Sequence, residues 1–189
     1  MGHRAVLLHA RGWTYREIGP EIGWRPTSFV SASAGVYFGR NDQRSQWVEN
    51  SGERYVFGRI DQSTVSLTAR LNYTVTPNLS VQLYAQPFVS AGDYSDFKEL
   101  VDGRSRDYDR RYAATDYFGN PDFNYRSFRT TNVVRWEYRP GSTLFVVWQQ
   151  GREDQLEHGR FDFRSDVSSV FGAPARNVFL VKWAYWLNY

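Results

Sequence analysis

Apolar and polar residues alternate along much of this chain. Between Thr64 and Val75, the residues Val65, Leu67, Ala69, Leu71, Tyr73 and Val75 hold one set of alternate positions, and Thr64, Ser66, Thr68, Arg70, Asn72 and Thr74 hold the other. Successive side chains of a β-strand point to opposite faces, so this stretch reads as a strand with one apolar and one polar face. It is longer than the ~5–6 residues of an ordinary strand. The pattern recurs in Leu79, Val81, Leu83, Ala85 and Val89 against Ser80, Gln82, Gln86 and Ser90. It recurs again in Phe128, Val134, Trp136 and Tyr138 against Arg129, Thr131, Arg135, Glu137 and Arg139. Strands are expected near residues 14–25, 28–39, 54–75, 79–91, 123–139, 143–150 and 177–189, with an eighth at 4–10.

The connections differ in length. Three contain proline and are short, at Pro26, Pro77 and Pro140; proline presets the φ of a tight turn and cannot continue a central ladder. The others are expected to be long polar loops over 41–52, 93–124 and 151–175. Short turns at one end and long loops at the other describe an all-β, antiparallel up-and-down meander of about seven or eight long strands, and outer-membrane barrels show this asymmetry. Alternation by itself does not say whether the apolar face meets a protein core or lipid. Trp24, Tyr73, Trp136 and Tyr138 stand beside the short turns, where an interfacial aromatic belt would sit. The strands also reach the ~9–11 residues needed to cross a bilayer when tilted. The expected fold is therefore a transmembrane β-barrel, or the C-terminal part of one, in a bacterial outer membrane. A soluble β-sandwich that binds glycans remains the alternative.

Composition narrows the class. The 189 residues are 41% hydrophobic and 17% aromatic, with 7 Trp, 13 Tyr and 13 Phe. Lysine occurs only at Lys98 and Lys182, so arginine supplies nearly all of the 23 basic residues. Disordered chains are poor in aromatics, which argues for an ordered fold. No run approaches the ~20 apolar residues of a spanning helix, and a mean hydropathy of −0.59 fits strands with one wet face. The net charge of +3 comes from bases interspersed with 20 acids, which does not suggest a nucleic-acid partner. Cysteine is absent, excluding disulfides and thiolate chemistry. The first residues lack the ~7–15-residue apolar stretch of a signal peptide, so the expectation is a single barrel domain over 1–189 that is a C-terminal fragment of a longer protein.

The last strand carries a specific pattern. Phe179, Val181, Trp183, Tyr185, Leu187 and Tyr189 occupy alternate positions up to the terminal residue. This resembles the C-terminal strand by which barrel assembly machinery recognises outer-membrane barrels. The stretch from Leu71 to Phe88, with Thr76-Pro77-Asn78 at its centre, and the stretch from Asn177 to Tyr189 resemble a wider group too. They are similar to the C-terminal region of a domain-of-unknown-function family of Gram-negative envelope proteins. Members of that family carry a signal peptide, a family-nine-type (DOMON-like) carbohydrate-binding module and then a large β-barrel. Residues 122–139 and 161–171 share the likeness. The resemblance implies an outer-membrane location, lipid as a partner and an upstream carbohydrate-binding module. It supplies no catalytic residue.

Candidate chemistry is sparse. His3, His9 and His158 are too scattered for a zinc site, and no nucleophile or phosphate-loop motif is present, so neither a metal nor a cofactor is expected. The acidic run Asp102, Asp107 and Asp109 lacks calcium-loop spacing and is interrupted by arginines; an ion-paired loop is expected. Glu153, Asp154 and Glu157 offer carboxylates for a barrel-borne hydrolase, a second alternative. Arg70, Arg129, Arg135, Glu137, Arg139 and Lys182 fall on polar faces and are the candidate lumen residues. They either form a basic, anion-attracting lumen or pair with Glu137, Glu17 and Glu21 to fill a narrow barrel. Tyr94, Phe97, Tyr108, Tyr112, Tyr117 and Phe118 are candidate loop aromatics, able to stack on sugars or to pack the loop. Phe163, Val167, Val170 and Phe171 are spaced for a short amphipathic helix. The function expected is non-enzymatic: an anchor or passage linked to carbohydrate binding or uptake.

Overall fold

A computed structural model describes residues 2–10 and 12–187. The chain forms one antiparallel meander: β1 (Gly2–Ala10), β2 (Trp13–Trp24), β3 (Val30–Ser51), β4 (Arg54–Thr76), β5 (Leu79–Leu100), β6 (Tyr112–Ala114), β7 (Phe123–Arg139), β8 (Ser142–Leu156) and β9 (Arg176–Ala184). The helices α1 (Tyr108–Arg111) and α2 (Phe163–Val170) lie in the two long connections. The nine-stranded sheet runs in the order β1-β2-β3-β4-β5-β7-β8-β9, and the short β6 pairs with β5. The expected barrel closure is not seen. Among the described residues β1 pairs with β2 and β9 with β8, and both outer edges stay open. Among the described residues all nine strands belong to one sheet.

The proline turns fall where expected, but the long loops are shorter. Residues 41–51, 93–100 and 151–156 are strand, so β3, β4 and β5 reach 22, 23 and 22 residues. Their polar residues pair across strands instead of facing water singly. Arg40 makes a two-pronged contact with Asp61 at 2.6 and 3.1 Å, and Arg59 makes one with Asp42 at 2.7 and 3.2 Å. Both pairs run diagonally, since the register sets Asp42 opposite Asp61 and Arg40 opposite Ser63, and opposite charges on such diagonal cross-strand neighbours stabilise a sheet. The loop expected over 41–52 shrinks to the turn at Gly52 and Glu53, where Gly52 has φ +65°, a conformation glycine adopts without strain. The long connections that remain are 101–122 and 157–175, and α2 confirms the expected helix. Its N-cap is Asp162, whose carboxylate accepts from Ser165 N.

Burial is concentrated in the half of the sheet far from the proline turns. Val89 and Ala91 of β5, with Asn124 and Arg126 of β7, are buried on the face where α2 packs, and Val170 of α2 is buried with them. Phe128 meets Phe171 with ring centroids 4.9 Å apart. On the opposite face Phe123 lies across Gly92. A Cβ at Gly92 would come within 2.5 and 2.8 Å of that ring and 3.2 Å of Ile60 Cδ1. Gly92→Ala is therefore expected to destabilise by ~1–3 kcal/mol through overpacking. A Cβ at Gly23 meets nothing within 4 Å, so Gly23→Ala should be neutral. Urea denaturation of the two variants side by side checks this.

Candidate functional site

Paired residues on neighbouring strands point to the same face, so the register sorts the whole sheet into two surfaces. One row links Ile18, Phe38, Val65 and Val89, and another, three rows along, links Leu71 and Leu83 to Ala32 and Asn132. This apolar face continues through Val36, Val81, Val134, Val146 and Val181. From Ile18 to Trp24, Val65 to Val75, Leu79 to Ala91 and Phe128 to Tyr138 it carries no Asp, Glu, Lys or Arg. Toward the proline turns it is also uncovered, with Ile22 55% exposed, Leu83 40% and Val181 65%, whereas Val89 at the other end is buried where α2 packs. Its polar exceptions are bonded within the sheet. Thr130 Oγ1 donates to Tyr84 O at 2.7 Å, and Asn132 Nδ2 to Thr130 Oγ1 at 3.3 Å. The Ile18 row itself ends in charge, with Arg126 opposite Val89 and Asp154 opposite Arg126, and two residues beyond Ile18 the same face carries Arg16 opposite Arg40.

The candidate lumen residues share the opposite, polar face, as the alternation implies. Arg70 stands opposite Tyr84 and Arg129 opposite Gln86; Arg135 stands opposite Phe145, which stands opposite Lys182; Glu137 is opposite Thr143. Some of them pair. Arg135 reaches Glu137 at 3.4 Å, and Arg70 reaches Glu21 at 3.9 Å while lying 5.2 Å from the centre of the Tyr84 ring. Glu137 also accepts from Gly141 N at 3.1 Å, and Arg139 donates to the Tyr185 hydroxyl at 3.2 Å. Arg129 and Lys182 make no ion pair among the described residues. Glu17 takes the hydroxyls of Tyr15 and Tyr37, at 2.7 and 3.3 Å. The set is thus one shared polar face, part paired and part open.

Of the terminal pattern, Phe179, Val181 and Trp183 lie on the apolar face of β9. Phe179 stacks on Trp148 with an interplanar angle of 7°, and Trp183 Nε1 donates to the Tyr138 hydroxyl at 2.6 Å. The ladder stops at Ala184, short of the expected end of the strand, and Tyr185 and Leu187 continue without strand pairing. Trp186 N donates instead to Ser142 Oγ at 3.0 Å. Tyr189 lies outside the described residues.

The loop aromatics mostly pack against one another. Phe97 and Tyr117 lie 4.7 Å apart, and Tyr108 and Tyr112 5.1 Å. Tyr94 and Phe97 both close over Gly58. Phe118 is the exception and projects into solvent. Lys98 sits over the Tyr108 and Tyr112 rings and donates to the Tyr108 hydroxyl at 2.8 Å. Burial pushes that hydroxyl's pKa up, but hydrogen bonds from Lys98 and Ser45 and the Lys98 and Arg44 charges outweigh it, so it lies below the ordinary phenol value. Asp93, by desolvation and by the Asp122 and Asp61 carboxylates, is held above the usual carboxylate range.

The carboxylates do not converge. Glu153 and Asp154 are strand neighbours and point to opposite faces; Glu153 meets Tyr125 and Asp154 meets Arg126. Asp102 and Asp107 accept backbone N–H groups of their own loop, and among the described residues no cluster of three His, Asp or Glu could hold a metal. A cluster that sequence reasoning missed lies under α2. Arg126, buried, contacts Asp166 at 3.5 Å and Asp154 at 3.3 Å, and donates to Ser169 Oγ. Asn124 donates to Asp166 at 3.0 Å and to Arg160 O at 2.7 Å.

A second missed feature is a cavity of about 390 Å³ on the polar face where β2, β3 and β4 meet. Trp13 and Tyr15, two residues apart on one strand face, lie nearly parallel at 20° with centroids 6.3 Å apart. Trp13 Nε1 donates to Asn41 Oδ1 at 2.7 Å, and the Tyr15 and Tyr37 hydroxyls share a hydrogen bond beside Glu17. Those contacts with Tyr37 and Glu17 hold the Tyr15 hydroxyl well above the ordinary phenol pKa. The signal was present as alternate Trp13, Tyr15 and Glu17, but its partners lie on two other strands.

A comparison with protein-family models finds a match over residues 14–189. No curated protein and no solved structure matches the chain. With nearly its whole length covered by one family model, the chain belongs to the domain-of-unknown-function family DUF5916.

Proposed function

We propose that this chain forms wall strands of an outer-membrane β-barrel, with its apolar face against lipid and its polar face lining an aqueous lumen. The observation that carries this reading is the apolar face on the proline-turn half of the sheet, which is uncovered there and free of charged residues, while α2 and Arg126 occupy the same face at the long-loop end. On a water-soluble protein so large an apolar surface is a liability or an interface. Along β4 it spans Val65–Val75; at ~3.3 Å per residue and ~45° tilt such a run rises ~23 Å, close to the ~25 Å apolar band of a transmembrane barrel. Trp24, Tyr73, Trp136 and Trp183 gather toward the proline-turn end, as an interfacial belt requires. In lipid the open edges of β1 and β9 must be met by further strands, because hydrocarbon leaves unpaired backbone groups unsatisfied. Barrel assembly machinery acting on the β9 end is part of this reading. The role is a non-catalytic passage or anchor, tied to carbohydrate binding or uptake through the upstream module that the family resemblance implies.

Single cysteines test it, since the chain has none. Leu83 and Gln82 are both exposed and lie on opposite faces of β5. In outer-membrane vesicles Gln82→Cys should react with a water-soluble maleimide, and Leu83→Cys should not until the lipid is removed with detergent. Equal labelling of both in the vesicles would overturn the reading.

A further inference from the structure

We propose that the cavity walled by Trp13, Tyr15, Tyr37, Asn41 and Gln62 is a binding subsite for a neutral, polyhydroxylated solute of the oligosaccharide class. Four observations converge on that chemistry. Trp13 and Tyr15 present two nearly parallel rings, 6.3 Å apart along one strand, and aromatic rings are surfaces on which the apolar faces of sugars stack. The opposite wall supplies side-chain amides and hydroxyls, from Asn41 and Gln43 on β3 and Gln62 and Thr64 on β4. Amides and hydroxyls both donate and accept, which suits sugar hydroxyls that do the same. Among the described residues no lysine or arginine lines the cavity, and the Glu17 carboxylate stands beside it, so these residues disfavour anions. The volume of about 390 Å³ lies in the range of small-ligand sites.

The geometry is built in advance of any ligand. Tyr37 lies flat because Gly39 has no side chain: a Cβ there would fall 2.7 Å from the Tyr37 hydroxyl. That hydroxyl is fixed by Tyr15 and Glu17. Asn41 is oriented by the Trp13 indole, which occupies its carbonyl and turns its NH₂ donors elsewhere. Gln62 and Thr64 are tied through Ser90 Oγ, at 3.0 and 2.8 Å. Side chains held this way lose little freedom on binding. The cavity lies beyond the uncharged stretch of the sheet, at the end carrying the long loops. There it would meet a solute entering from that side, ahead of the Arg70 and Arg135 pairs. The proposal rests on the polar face being wetted, as the barrel reading has it.

Isothermal titration of the full chain with maltohexaose tests it, in a polyoxyethylene detergent that carries no sugar headgroup. Saturable binding is expected, weakened ~10-fold or more by Trp13→Ala, the order of one lost ring stack. Gln62→Leu keeps the platform and should weaken binding several-fold. Each variant is first checked for an unchanged β-sheet circular-dichroism spectrum, and Gln62→Leu keeps the proposal exposed if Trp13→Ala fails to fold. The proposal is overturned if maltohexaose, cellohexaose and xylohexaose all fail to bind at millimolar concentration. It is overturned equally if binding survives in the folded variants, or if an oligogalacturonate binds more tightly than the neutral sugars. Maleimide labelling of Gln82→Cys and Leu83→Cys separates the two readings. Protected Leu83→Cys without sugar binding removes the subsite alone, and sugar binding with both cysteines labelled in vesicles removes the barrel wall alone.

Discussion

Asp166→Ala should release α2 from the sheet, at a cost of ~3–5 kcal/mol, the penalty for stripping one partner from a buried ion pair. Arg126 and Asp166 are both about 5% exposed, and Asp166 is the better buried of the two carboxylates facing that guanidinium. Its other oxygen accepts from Asn124 Nδ2 and from Asp162 N, both at 3.0 Å, so one substitution undoes three contacts. Asp154, whose side chain is 40% exposed, is a weaker partner, and Asp154→Ala should cost less than ~1 kcal/mol. Hydrogen exchange of the α2 amides and proteolysis within 157–175 measure the difference. A double replacement, Arg126→Met with Asp166→Leu, removes both charges together and should recover most of the loss. Equal cleavage of Asp166→Ala and the parent chain would show that α2 is held by its Val170 and Phe171 packing.

Leu83→Arg should destabilise the bilayer-inserted chain by ~2–4 kcal/mol, while Gln82→Arg should leave it nearly unchanged. The two residues are sequence neighbours and both exposed, so exposure does not distinguish them; their faces do. Leu83 lies near the middle of the uncharged Leu79–Ala91 run, where a guanidinium would sit deepest in hydrocarbon. Gln82 stands opposite Asn72 and Val133 on the polar face. Folded fraction against urea in phosphatidylcholine vesicles reports the asymmetry. In detergent-free water without vesicles the two variants should behave alike, and a similar loss for both in vesicles would argue against a lipid-facing surface.

The two faces were readable from the chain without coordinates. Arg70, Arg129, Arg135 and Glu137 fall on one side of the sheet because a strand alternates every residue, and the register keeps that order from β4 to β8. The hairpin ends at Pro77 and Pro140 were readable for an equally local reason, the fixed φ of proline. The strand extensions at 41–51 and 93–100 were not. Asp42, Arg59 and Asp61 look like loop residues until their partners are known, and those partners are on adjacent strands. Arg126 was hidden in the same way. In sequence it is a polar residue in an alternating strand, and it becomes a buried clamp because α2, some 40 residues later, lays Asp166 over it.

By itself, then, the sequence determined which residues share a face, where the tight turns lie and that the fold is an antiparallel meander, since each of these depends on neighbours within a few positions. The tertiary structure decided how far the strands run, which charges pair, where the helix packs, how Trp13, Tyr15, Tyr37 and Asn41 line an open cavity, and that the sheet edges stay open among the described residues. Those features require contacts between residues far apart in sequence, and alternation along one strand carries no information about which partner stands beside it.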